Sequence, residues 1–112
     1  MTDKERRRAA RSPTDLVLEL YESEGRFVMS VGRLLDLSTL GFRFEGPLGM
    51  EKGQSFRARI RLEKSFMLEV PVKVAWVQSK STKNAYGMEF MGISKVDLAK
   101  MEKWIKERKK PN

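Results

Sequence analysis

The sequence predicts a mainly β domain: a six-stranded antiparallel β-barrel with a C-terminal α-helix and a flexible N-terminal arm. Three observations predict it. Apolar residues recur at every second position through most of the stretch from Thr14 to Phe90, Gly and Pro punctuate that stretch at turn spacing, and the period changes to 3.6 only after Ile93. Short strands followed by one amphipathic helix suit a small barrel whose open end the helix covers.

The elements follow in order. Leu16, Leu18 and Leu20 alternate with Val17, Glu19 and Tyr21, and the run stops at the turn signal Glu22-Ser23-Glu24-Gly25. A second strand is expected over residues 27–37. The third is Gly41-Phe-Arg-Phe-Glu45, with Phe42 and Phe44 inward, closed by Gly46-Pro47 and Gly49. The fourth alternates Phe56, Ala58, Ile60 and Leu62 with Arg57, Arg59 and Arg61. The fifth runs from Met67 to Val77 with Leu68, Val70, Val72, Val74 and Trp76 on one face, and Pro71 in its middle calls for an edge position or a bulge. A polar loop, Ser79 to Asn84, leads to the sixth strand, Ala85 to Phe90.

Ser94-Lys-Val-Asp97 reads as a helix start resembling a capping box, with Ile93 and Leu98 placed as a hydrophobic staple. Leu98, Met101, Trp104 and Ile105 form an apolar stripe, Lys100, Lys103 and Lys106 lie off it, and the helix is expected to end near Lys109–Lys110, before Pro111. The 112 residues thus divide into an arm (1–13), a barrel (14–92) and a helix (93–110) of a single domain. The arm, too polar and too short to hold a helix by itself, is expected to order when something anionic binds it.

A hydrophobic fraction of 40% is ordinary for a globular domain, and no apolar run approaches the roughly 18 residues of a membrane span. The N-terminus, Met1-Thr-Asp-Lys-Glu-Arg, has no apolar signal region, so a cytoplasmic location is expected. With no cysteine and no histidine the chain has no thiol nucleophile, no Ser/His or Cys/His pair and no His/Cys metal site, and an enzyme is not expected. The 23 Lys and Arg residues against 15 Asp and Glu leave a net charge of +8, which favours an anionic partner without choosing one.

Two short motifs carry the choice. Arg7-x-x-x-Arg11 places two guanidinium groups in the arm, with Arg6 and Arg8 beside them, and guanidinium forks match phosphate and the O6/N7 edge of guanine. Asp36-x-Ser38-x-x-Gly41 ends the second strand. Its carboxylate accepts from donors such as guanine N1–H and N2–H, and strand parity puts Asp36 and Ser38 on one face. On that parity Leu35 and Leu37 face the core, Leu34 shares the outer face with Asp36 and Ser38, and Gly41 leaves room for a flat base. Taken singly, each motif also has a plainer account, a solvated basic tail and a side-chain-capped turn.

In this order, and continued by Val74-Ala-Trp76 and Tyr86-Gly-Met-Glu-Phe90, the two motifs resemble the PilZ domain, a family of bacterial cyclic di-GMP receptors, over nearly the whole chain. The resemblance implies a PilZ-like barrel that binds cyclic di-GMP through Arg7 and Arg11 (guanine and phosphate), Asp36 and Ser38 (a guanine edge) and Gly41 (the turn). It implies a role for Arg6 if the ligand is an intercalated dimer. Trp76 joins the candidates as a stacking platform, although its alternation with Val72 and Val74 is first a core pattern. The arm closing over the ligand would create a surface for a separate downstream protein. A basic nucleic-acid-binding barrel using Arg57, Arg59 and Arg61, and a degenerate PilZ domain acting only as a protein adaptor, are the alternatives. Metal and cofactor are not expected.

Overall fold

A computed structural model of the chain describes residues 12–14, 16–79 and 83–109. Its elements are β1 (Ser12–Pro13), β2 (Val17–Tyr21), β3 (Val28–Leu37), β4 (Gly41–Gly46), β5 (Ser55–Glu63), β6 (Phe66–Ser79), β7 (Asn84–Phe90) and the helix α1 (Lys95–Lys109). Strands β2 to β7 form one antiparallel sheet in the order β3-β2-β5-β6-β7-β4, and pairing of β3 with β4 closes it into a six-strand barrel. The short β1 adds to β3. Closure leaves no barrel strand without neighbours on both sides.

The alternation read from the sequence is the alternation that packs. Phe56, Ala58, Ile60 and Leu62 of β5 line the core side by side with Phe66, Leu68, Val70, Val72 and Val74 of the neighbouring β6, with a two-residue turn, Lys64–Ser65, between the strands. Leu18, Leu20, Phe42, Phe44, Tyr86 and Met88 join them in the interior. Tyr86 is fully buried, and its hydroxyl is satisfied from two sides: it donates to the Leu48 carbonyl at 2.7 Å and accepts from the Met50 amide at 2.9 Å. One phenol thereby ties the loop after β4 to β7.

Ser94 caps α1, its hydroxyl accepting from the Asp97 amide at 3.1 Å, and Ile93 and Leu98 both pack against the core as a staple should. Met101, Trp104 and Ile105 are buried, so the helix does close the barrel with its apolar stripe. Among the described residues, no helix is long and apolar enough to cross a membrane.

Two expectations need correction, and a third gains its reason. Residues 12–13 are not loose arm: Ser12 pairs with Leu37 and Pro13 with Asp36. Thr14 anchors the same segment, its hydroxyl donating to the Leu34 carbonyl at 2.7 Å and accepting from the Leu16 amide at 3.1 Å. Pro71 holds the edge position expected of it, but locally: β6 is an interior strand of the barrel, yet its ladder with β7 begins only at Val72, so Pro71 is paired on the β5 side alone. Its carbonyl accepts from the Met91 amide, one step past the last β6–β7 pair, Val72 with Phe90. In an antiparallel strand N and O of one residue face the same neighbour, so the missing Pro71 N–H falls where β7 ends. The proline stops the ladder and lets the chain turn toward α1.

The second correction concerns parity. Leu34 is fully buried, not outward. Leu34 pairs with Phe44 and Asp36 with Arg43, so Leu35 is an extra residue, a bulge that reverses the phase of β3 between positions 34 and 36. Leu34 and Leu37 face the core, and Asp36 falls on the outside all the same.

Candidate functional site

A second bulge does on β6 what the first does on β3. Val74 pairs with Met88 and Trp76 with Gly87, leaving Ala75 extra and turning Trp76 away from the core face that Val72 and Val74 share. Simple alternation made Trp76 a core residue; the structure places it half-buried on the outer wall. The two bulges deliver their side chains to one lateral row. Asp36 of β3 stands opposite Arg43 of β4, Arg43 opposite Gly87 of β7, and Gly87 opposite Trp76 of β6. Across β3 from Arg43, Pro13 of β1 pairs with Asp36, so the chain enters the barrel at the end of this row.

Each member has a local reason for its place. A β carbon on Gly87 would overlap Nε1 and Cε2 of Trp76, so the indole lies directly on the glycine backbone. A β carbon on Gly41 would overlap the Met88 carbonyl oxygen. The space freed at Gly41 is therefore taken by β7, not kept open for a flat base. Ser38 is buried, and its hydroxyl donates to the Gly41 carbonyl and accepts from the Leu40 amide, both at 3.2 Å. The Ser38 amide also donates to the Gly41 carbonyl at 2.9 Å. Ser38 thus builds the turn as well as lying beside it. Ser38, Gly41, Trp76 and Gly87 line one small pocket where the turn meets the indole.

Asp36 is held by Arg43, whose Nε donates to Asp36 Oδ2. The Asp36 side chain is only 6% exposed, whereas that of Arg43 is 47% exposed, so the guanidinium is the more open half of the pair. Arg43 is the residue that reading by motif missed. Its signal was present: Phe42 and Phe44 inward leave Arg43 outward, and a hairpin closed over Ser38–Gly41 puts it opposite Asp36.

The structure thus brings Asp36, Ser38, Gly41 and Trp76 to one part of the wall, with Arg43 and Gly87 among them. Arg6, Arg7 and Arg11 lie outside the described residues. Arg57, Arg59 and Arg61 are on β5, diametrically across the barrel from β4. There Arg59 donates to the Tyr21 hydroxyl at 3.1 Å and stacks its guanidinium 4.6 Å from that ring, while Arg61 donates to the Lys64 carbonyl at 3.2 Å.

The sequence model of the PilZ domain matches residues 5–107. No curated protein matches the chain by sequence. Among solved structures, the inhibitor of motility MotI/DgrA of Bacillus subtilis superposes with a TM-score of 0.76 at 19% identity, over 90% of this chain and 50% of that one. The PilZ domain of YcgR from Escherichia coli, solved with c-di-GMP, superposes with a TM-score of 0.73 at 15% identity, over 91% of this chain and 90% of that one. The PilZ domain of CeSA from a cellulose-synthesizing bacterium gives a TM-score of 0.61 at 13% identity, over 88% and 97%. The chain therefore spans half the length of MotI/DgrA and nearly all of the YcgR domain.

Proposed function

We propose that this chain, which belongs to the PilZ domain family, is a non-enzymatic receptor for cyclic di-GMP and that the wall from Asp36 to Trp76 is where the ligand sits. The observation that carries this reading is the pairing of Pro13 with Asp36. The arm that holds Arg6, Arg7 and Arg11 joins the barrel at that wall, since Arg11 is the residue before Ser12 in the sequence. The c-di-GMP complex of the YcgR domain, a barrel of the same fold, supports the choice of ligand.

In this mechanism the arm closes on the ligand from one side. Arg7 and Arg11 take phosphate and a guanine edge, and Arg6 meets the second molecule of an intercalated pair. Asp36, with Ser38, accepts from guanine N–H groups, Gly41 keeps the turn against β7, and the Trp76 indole offers a flat face for stacking. Closure makes a composite surface of arm and barrel on which a downstream protein docks. The barrel and its helix are one unit, and the receptor acts in the cytoplasm.

Calorimetric titration with cyclic di-GMP tests the reading, since it returns affinity and stoichiometry together; two ligands per chain are expected for the intercalated form. A nucleic-acid-binding barrel is the competing reading. Neutralising six or more phosphates would cost it about a thousandfold in affinity between 50 and 200 mM salt, and a doubly charged dinucleotide loses far less. The engagement of Arg59 and Arg61 in the far wall favours the dinucleotide.

A further inference from the structure

We propose that Arg43 is a guanine-reading residue of this site, with Asp36 as the group that aims it. The proposal rests on the cyclic di-GMP reading and adds a residue to it that neither motif contains. Asp36 is nearly covered and Arg43 is half open, so a ligand settling on the wall meets the guanidinium before it meets the carboxylate.

The chemistry of the pair gives the role. A guanidinium carries five N–H donors in a rigid plane, and Nε–H of Arg43 is engaged by Asp36 Oδ2, which fixes that plane. The terminal N–H groups remain as a donor fork on the exposed half of the side chain. Guanine presents two acceptors, O6 and N7, at the spacing such a fork reaches; adenine presents a donor, N6–H, in place of O6. The fork, held in place by Asp36, therefore matches the guanine edge and opposes the adenine one.

The rest of the row fits. The Trp76 indole lies over Gly87, the residue opposite Arg43, so the aromatic face and the guanidinium are neighbours on the wall. A purine stacked on the indole at one end directs its far edge at the guanidinium.

The test titrates the intact chain with cyclic di-GMP and cyclic di-AMP, as wild type, Arg43→Ala and Arg43→Lys, with apo melting temperatures measured in parallel. The expected result is a wild type that prefers cyclic di-GMP at least tenfold. Arg43→Ala should weaken cyclic di-GMP at least tenfold and collapse most of that preference, with the apo protein still folded. Arg43→Lys keeps a charge and donors that still reach O6 or N7 without the rigid fork, so it should retain more affinity and more of the preference than Arg43→Ala. A merely structural role would lower affinity for both dinucleotides together, and a preserved preference in Arg43→Ala overturns the assignment. Should Arg43→Ala fail to fold, the preference of Arg43→Met, of similar length but with no donor, decides. A wild type that binds neither dinucleotide overturns the receptor reading itself, a result distinct from binding that ignores Arg43.

Discussion

Thr14 and Leu34 are joined by a buried hydrogen bond of 2.7 Å from the threonine hydroxyl to the leucine carbonyl, one residue before the bulge that turns Asp36 outward. The root of the arm is thus fastened to the same piece of β3 that forms the candidate site. Thr14→Val keeps the shape and removes the hydroxyl, leaving the Leu34 carbonyl and the Leu16 amide short of a partner. The expected loss is about 1–3 kcal/mol, read as a lower midpoint in a urea titration.

Deleting residues 1–11 has the opposite signature. The segment precedes β1, and its only apolar residues are Met1, Ala9 and Ala10, so the apo melting temperature should stay within about 2 °C of the full chain while cyclic di-GMP binding is lost. Thermal melts and calorimetry on the two forms check it. A truncated form that binds as tightly as the full chain removes the arm from the mechanism.

Asp36→Asn separates turn from ligand. The amide keeps the shape and an acceptor for Arg43 but not the charge, so the pair with a half-exposed guanidinium should weaken by about 1 kcal/mol. Cyclic di-GMP affinity should fall at least tenfold. A melting temperature that drops by more than about 10 °C, against the few degrees that 1 kcal/mol shifts a domain of this size, would assign Asp36 to the fold.

Gly41→Ala should be the most damaging single change in the turn motif. The added methyl meets the backbone oxygen of Met88, which cannot swing aside as a side chain can, so β4 has to move off β7. Overpacking of this kind costs about 1–3 kcal/mol, measurable by chemical denaturation without ligand.

Gly87→Ala pushes instead against an indole. Displacing Trp76 should shift its fluorescence and weaken ligand binding, and Trp76→Ala should rescue much of the stability lost in Gly87→Ala because the overlap disappears. The two substitutions are therefore expected to be non-additive by about 0.5–3 kcal/mol. Strict additivity in a double-mutant cycle would mean that the indole does not rest on the glycine.

Much of this architecture was legible in the chain. The alternation of Phe56 to Leu62 and of Leu68 to Val74 is strict enough to set strand and face together, and Ser94 announces the helix by its capping chemistry. What alternation could not show is where it breaks. Leu34 and Trp76 were assigned to the wrong faces for the same reason: a bulge inserts one residue and reverses every parity beyond it, and neither Leu35 nor Ala75 carries a local mark of doing so. Arg43 was overlooked because its importance is a matter of register, of which residue stands across from Asp36, rather than of motif. The edge position of Pro71 was legible, but which neighbour it lacks was not, because that depends on where β7 stops.

The contact between Trp76 and Gly87 also constrains how these two positions can change through time. Position 87 admits a side chain only after position 76 has given up its indole, while position 76 can shrink at any moment and leave its resting place vacant. Change at the pair is a ratchet. The wall can lose its aromatic face in one step, and can recover it only in a lineage where the glycine has been kept.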